Sequence, residues 1–262
     1  MKQNNTNFTI FMTTLSIIIP AYNESATILT ILQKLKDCKF DINQEINKEI
    51  IIINDCSKDK TSELASQFAK ENQDINLKIQ VLDNDKNLGK SQSVKRGIIA
   101  STGDWVVIQD ADLEYEPTDL IELLKQGILK DCDVVYGNRF GQYNEVIYWK
   151  NFLGNLALSC FSNLFTIGNI RVFIPDMEVC YKMVRGTIIR EVAATIISKS
   201  NFGFEPEITA KLGHYCKKVN HLKFLILPIS YNPRSIQEGK KMKAFQDGIK
   251  AFWEIIHFNL FP

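Results

Sequence analysis

Residues 49–54 read Glu-Ile-Ile-Ile-Ile-Asn, and this run constrains the fold more than any other part of the chain. Four β-branched residues in a row, with no polar alternation, describe a strand covered on both faces. Such a strand belongs in a parallel sheet between helices, and the flanking segments supply them. Residues 15–20 form a short apolar strand, followed by Ile28, Ile31, Leu32 and Leu35 at helical spacing within 26–36, with Asn23 and Ser25 as candidate caps. After the isoleucine run, 61–70 read as a helix through Leu64, Ala65, Phe68 and Ala69, and 77–82 as a third strand. Then come a helix over 90–100, a strand over 105–109, a helix over 118–129 opened by Pro117, and a strand over 133–136. The regular alternation predicts an α/β fold whose mainly parallel, doubly wound sheet has helices on both faces.

The pattern changes after about residue 141. Residues 148–167 read as a helix with large apolar residues over most of its circumference, leaving Asn151, Asn155, Ser159 and Ser162 as a narrow polar stripe. Short elements follow: a strand over 180–184, helices over 187–197 and 206–212, and a strand over 224–229. The last helix, 244–258, sets Phe245, Ile249, Phe252 and Ile256 on one face. No repeat, low-complexity tract or linker divides the chain. The expected organisation is an N-terminal extension over 1–14 and a single domain over 15–262.

Composition removes several function classes. With 31 basic and 30 acidic residues the net charge is +1, without the basic excess of a general nucleic-acid binder. The six cysteines never fall at Cys-x-x-Cys spacing, so neither a zinc site nor a disulfide framework is indicated, and reduced thiols in a cytoplasmic setting fit best. The start of the chain lacks a signal-peptide pattern, and no run reaches the roughly 18 apolar residues of a spanning helix. Peripheral contact with a membrane surface is still expected. Residues 148–167 carry only one charge, Lys150, and 244–258 follow Lys240, Lys241 and Lys243, a combination suited to an interfacial helix on anionic lipid.

The chemistry concentrates at strand ends. The fourth strand runs into Asp110-Ala111-Asp112-Leu113-Glu114, which puts hard oxygen ligands where an open α/β sheet binds its ligands. Pro20-Ala21-Tyr22-Asn23-Glu24 follows the first strand, Asn54-Asp55-Cys56-Ser57 the second, and Asn87-Leu88-Gly89-Lys90 opens the third helix. All lie on one edge of a parallel sheet, which indicates a nucleotide crevice. Rival motifs fail on single residues. A phosphate loop ending in Gly89-Lys90-Ser91 needs its first glycine at Asn84. A calcium loop from Asp55 needs glycine at Lys60 and glutamate at Ser66. No Gly-x-Gly-x-x-Gly follows the first strand, which counts against a dinucleotide oxidoreductase.

These segments, with Tyr136-Gly137-Asn138-Arg139-Phe140, resemble the family 2 glycosyltransferases, and within them the dolichyl- or polyprenyl-phosphate sugar synthase branch. The resemblance is dense over 15–140 and looser over 176–185 and 202–243. It implies a GT-A fold with a C-terminal helical, membrane-facing elaboration, and inverting transfer from a nucleoside-diphosphate sugar. Residues 15–140 become the donor half and 141–262 the acceptor and membrane-facing half. By motif, Pro20, Tyr22, Glu24 and Asp55 frame the base and ribose. Asp110 and Asp112 bind Mg2+ or Mn2+ on the diphosphate, with Glu114 as a third ligand, and Arg139 faces the active site. Lys90 also belongs to the donor-binding set. Arg234 and Lys240, within 234–243, resemble the loop that reaches phosphates in the lipid-linked branch. Asn54 departs from the commoner Asp-Asp pair, and Asn138 from the commoner Ser.

Two acceptors remain open. A polyprenyl phosphate is already ionised near neutral pH and attacks without a protein base, whereas a sugar hydroxyl needs a carboxylate within reach. Glu178, in Asp176-Met177-Glu178, is the candidate base, and Glu205 and Glu207 are further acidic candidates. An inactive nucleotide-sugar-binding scaffold is the alternative of another class, disfavoured by the intact Asp55, Asp110, Asp112 and Arg139.

Overall fold

The computed structural model describes residues 12–40, 45–141, 149–200, 203–234 and 244–261, with side chains omitted at 149–151 and 244–247. Strand β1 (Thr13–Ala21) leads to helix α1 (Ile28–Asp37), whose buried face is the predicted Ile28, Ile31, Leu32 and Leu35. The isoleucine run becomes β2 (Ile46–Asn54), followed by α2 (Thr61–Glu71), β3 (Leu77–Asp83), α3 (Lys90–Ala100) and β4 (Trp105–Ile108). Ile50 to Ile53 are fully buried, as a strand covered on both faces requires. Gly97 allows α3 to lie close on the sheet, because a Cβ there would stand 2.4 Å from Ile18 Cγ2.

Beyond β4 the chain forms α4 (Asp119–Leu129), β5 (Val134–Asn138), α5 (Trp149–Ile170), β6 (Lys182–Arg185), α6 (Gly186–Ala194), α7 (Phe204–Val219), β7 (Phe224–Pro228) and α8 (Ala244–Leu260). The sheet order is β3-β2-β1-β4-β6-β5-β7. All pairings are parallel except those of β6, which runs antiparallel between β4 and β5. Arg185 fixes that insertion: its N–H donates to Asp133 O at 2.9 Å, and its guanidinium lies 4.4 Å over the Trp105 ring.

This topology determines what meets at the site. From β1 the sheet grows one way to β2 and the other way to β4, so a switch point lies between β1 and β4. The carboxyl ends of β1, β2, β3, β4, β5 and β7 share one edge. Because β6 is reversed, its lead-in, residues 176–181, arrives at that same edge.

Of the expected polar stripe of helix α5, Ser159 and Ser162 are buried and Asn155 half-buried, while the Asn151 side chain lies outside the described residues. Ser159, Ser162, Asn163 and Thr166 are buried, and Asn163 both donates to Ile174 O and accepts from Ile174 N–H, at 2.7 and 2.9 Å. Ser159 Oγ accepts from Met177 N–H at 2.8 Å. Leu153, Leu164 and Ile167 are left exposed on the opposite face, Leu164 at 75%. Helix α8 buries Ala251, Ile255 and Phe258, stacks Phe252 on Phe161 at 4.5 Å, and exposes Ile249, Phe252, Trp253 and Leu260. Phe245, Lys150 and the lysines at 240, 241 and 243 lie outside the described side chains. No helix among the described residues is long and apolar enough to cross a membrane.

Candidate active site

The loops after β1 and β2 are joined backbone to side chain. Asn23, at φ 55°, donates its N–H to Ser57 Oγ, while its own Oδ1 accepts from Lys58 N–H at 2.8 Å. Glu24 N–H donates to Thr61 Oγ1 and Ser25 N–H to Asp59. Pro20 is the penultimate residue of β1, and Tyr22 and Glu24 are half-buried just beyond it. These residues therefore stand on the β1 side of the switch point, where they were expected.

Asp55 has a more demanding role than framing a ligand. Its carboxylate accepts from Asn84 Nδ2, Leu88 N–H and Gly89 N–H, each at 2.8 Å. It thereby holds the turn that opens α3, where Gly89 sits at φ 84°. The departure at Asn54 also has a local reason. Asn54 pairs in register with Asp83 on β3, and its amide donates to Asp83 Oδ1 at 2.7 Å. A carboxylate at 54 would set two negative charges against each other there. Asn138 Oδ1 accepts from Phe140 N–H and turns the chain after β5.

Lys90, the first residue of α3, reaches back over the sheet edge to Asp110 and to Glu205, at 2.9 Å each. Burial opposes its charge, but Asp110 and Glu205 outweigh that and hold its pKa well above the usual lysine value. Asp112 Oδ1 accepts from Glu114 N–H at 3.1 Å across Leu113 at φ 64°, and its Oδ2 meets Arg234 Nη2 at 3.2 Å. Burial, with Asp110 and Glu114 alongside, pushes Asp112 up to about 7, and Arg234 opposes the rise. Glu114, expected as a third ligand, has both oxygens engaged: Oε2 accepts from Tyr231 Oη at 2.7 Å and Oε1 from Arg234 N–H at 3.0 Å. Arg234 also lies 3.6 Å from Glu24 Oε2, so it stands among Glu24, Asp112 and Glu114. Lys240 lies outside the described residues. Among those residues, no three His, Cys, Asp or Glu side chains form a ready-made metal cage.

Arg139 is bound into the wall of the site. Its Nε and Nη2 donate to the two oxygens of Asp176 at 2.7 Å, its backbone N–H to Asp176 at 3.1 Å, and its guanidinium stacks 5.0 Å over Tyr231. Glu178 follows on the same lead-in. Burial first, and Glu205 second, push its carboxyl up to about 8, and its buried Oε1 has no hydrogen-bond partner among the described residues.

Sequence reading missed Lys182 and Tyr231. Lys182 is buried and donates to Met177 O and Val179 O, gripping the turn that carries Glu178, and burial lowers its pKa. Its only sequence signal is a lysine amid the apolar run of residues 179–184. Tyr231 touches Glu114 and Arg139 from a loop whose local pattern is featureless.

Comparison with known proteins places the chain in a family. A dolichyl-phosphate beta-glucosyltransferase of Dictyostelium discoideum is 27% identical over 252 residues, covering 94% of this chain and 73% of its own. A dolichol-phosphate mannosyltransferase of Pyrococcus furiosus is 30% identical over 134 residues, 51% of this chain and 35% of its own. A glucosyl-3-phosphoglycerate synthase from Mycobacterium tuberculosis, solved with Mn2+, UDP-glucose and phosphoglyceric acid, matches with a TM-score of 0.65 at 14% identity, over 95% of this chain and 81% of that one. That likeness establishes the GT-A fold. Residues 16–185 match the family model for glycosyl transferase family 2, so the chain belongs to that family and is a glycosyltransferase.

Proposed function

We propose that this glycosyltransferase moves a sugar, with inversion and with Mg2+ or Mn2+, from a nucleoside-diphosphate sugar to a polyprenyl phosphate at the cytoplasmic face of a membrane. The observation that carries the reading is the set of charges at the β1–β4 switch point. Asp110 and Asp112 lie at the end of β4, with one chain cation on each, Lys90 and Arg234. Carboxylate oxygens suit a hard divalent cation, which commonly takes one or two carboxylates and completes its shell with phosphates and water. Asp110 and Asp112 are thus the proposed ligands. A bound cation supplies Lewis-acid stabilisation of charge on the departing diphosphate. Lys90 and Arg234 add fixed positive charge for the same phosphates. Asp55 orders the Leu88–Gly89 turn from which Lys90 extends, and Pro20, Tyr22 and Glu24 line the nucleoside side.

The acceptor assignment is supported by the two relatives named for dolichyl or dolichol phosphate. The metal is supported by the solved structures of the M. tuberculosis synthase that hold Mn2+ or Mg2+ with UDP-glucose or UDP. Residues 15–140 serve the donor and 141–262 the acceptor and membrane. The outward apolar stripe of α5 and the exposed Ile249, Phe252, Trp253 and Leu260 of α8 suit the headgroup boundary. A second reading, with a sugar hydroxyl as acceptor, is favoured by one observation, the unpartnered buried oxygen of Glu178.

The test is transfer from UDP-, GDP- and dTDP-sugars, with and without a short polyprenyl phosphate, in Mn2+ or EDTA, with product anomers read by NMR. Asp112→Asn is expected to lose about 10²-fold or more while remaining folded, the range seen when one transition-state charge partner is removed. Full activity of Asp112→Asn in EDTA would remove the metal from the mechanism. Turnover on a water-soluble glycan, with none on polyprenyl phosphate, would select the second reading.

A further inference from the structure

Without a donor, the two aspartates after β4 are not equivalent. Asp110 pairs with Lys90, which sits on the first turn of α3 and is anchored from the far side by Glu205. Asp112 pairs with Arg234, the last described residue before 235–243, on the segment that leaves β7. That segment is itself tied to the aspartate loop. Tyr231 Oη and Arg234 N–H donate to the two oxygens of Glu114, Asn232 N–H donates to Glu114 O, and Tyr231 forms a bridge with Tyr115. The Arg234 guanidinium is therefore delivered among three carboxylates: Asp112 at 3.2 Å, Glu24 at 3.6 Å and Glu114 at 4.0 Å. No other described cation reaches Asp112. A guanidinium in this position neutralises the charge that a divalent cation would neutralise, and it takes an oxygen that a cation bound by Asp112 would need.

Resting on the donor-site reading above, we infer that Arg234 is an internal placeholder for the metal, which makes cation binding conditional on a diphosphate. A cation arriving alone must displace the guanidinium and leave it without its Asp112 partner. A cation arriving with a diphosphate brings phosphate oxygens that accept from Arg234, so the arginine exchanges one anion for another. Guanidinium pairs equally well, and bidentately, with carboxylate and with phosphate, which makes it suited to such an exchange. Lys90 has Glu205 as a second partner, so it keeps a carboxylate when Asp110 turns to a cation. Arg234 is thus a positioning residue whose two partners are Asp112 before loading and the diphosphate after it.

The experiment measures Mn2+ binding to the full chain at pH 8 by the EPR signal of free Mn2+, alone and with UDP or GDP. The wild type is expected to bind Mn2+ weakly alone and at least tenfold more tightly with one of the nucleotides. Arg234→Ala is expected to bind Mn2+ alone about tenfold more tightly than wild type and to lose most of the nucleotide enhancement. Arg234→Gln guards against misfolding of the alanine variant and should behave the same way, while Arg234→Lys, which keeps the charge, should return toward wild type. Unchanged or weaker Mn2+ binding in folded Arg234→Ala and Arg234→Gln overturns the placeholder. Asp112→Asn separates the two levels of the argument. If it leaves Mn2+ binding intact, the metal is not at the proposed donor site, and the placeholder falls with that reading.

Discussion

Removal of the Asp176 carboxylate exposes how the wall of the site is held. Asp176 is 0% exposed and Arg139 10%, and they share two side-chain hydrogen bonds of 2.7 Å plus the backbone bond from Arg139. An arginine does not deprotonate in a protein, so Asp176→Ala leaves a buried positive charge stripped of its bidentate carboxylate partner. Breaking a buried pair from one side costs about 3–5 kcal/mol. For a chain of this size each kcal/mol lowers Tm by about 2–4 °C, so the expected fall is about 6–20 °C. Arg139→Met is expected to cost less, because the backbone N–H of residue 139 still donates to the Asp176 carboxylate. The double variant Arg139→Met/Asp176→Leu removes both charges and should be more stable than Asp176→Ala alone. Urea unfolding, with midpoint and slope compared across the cycle, measures all three. A cost below about 1 kcal/mol for Asp176→Ala at constant slope, or a double variant less stable than it, would refute the reasoning.

Glu178 distinguishes the two proposed acceptors. Glu178→Gln should retain substantial turnover if a lipid phosphate attacks, and lose about 10²–10⁴-fold if a hydroxyl is deprotonated there, in which case wild-type rate should rise with pH through about 8. Its raised pKa also predicts that wild-type stability falls between about pH 4.5 and 8, because the native carboxyl holds a proton that the unfolded one has released; Glu178→Gln should abolish that part of the slope in urea titrations at pH 5 and 8. Vesicle co-sedimentation tests the membrane surface. Leu164→Glu and Trp253→Glu, at positions 75% and 63% exposed, should weaken binding to anionic vesicles with little change in Tm, and unchanged binding in both variants argues that these faces are not the lipid contact.

The strands and helices of residues 15–140 were legible because their information is local. Continuous apolar runs mark strands buried on both faces, and the motif residues sit within a few positions of the strand ends that carry them. Asp110, Asp112, Lys90 and Glu24 therefore lie at one edge of the sheet, Lys90 on Asp110 and Arg234 between Glu24 and Asp112. What was not legible depends on pairing at a distance. Nothing in 46–61 announces that Asp83 will face Asn54, or that Asp55 will be saturated by Asn84 and the Leu88–Gly89 turn. The polar stripe of α5 could be read from periodicity, but its direction could not. It turns inward because the backbone of 174–177 needs hydrogen-bond partners, which Ser159 and Asn163 supply.

The reversed strand has the largest consequence for function. Four residues long, β6 contributes little to the sheet, yet its direction decides where its lead-in ends. A parallel strand in the same slot would begin at the opposite edge and carry Asp176 and Glu178 about a strand's length from Asp110. Running antiparallel, it delivers Asp176 to Arg139, just past the end of β5, and Glu178 toward Glu205, which also touches Lys90. The buried Lys182 then anchors the turn between them through Met177 O and Val179 O. The loops proposed to hold the donor are therefore built by parallel strands β1 to β4, whereas Asp176 and Glu178, the groups proposed for the acceptor, depend on one short reversal between β4 and β5. Under the proposed function, changes in residues 176–182 are expected to alter acceptor chemistry while the aspartate loop and its cations remain as they are.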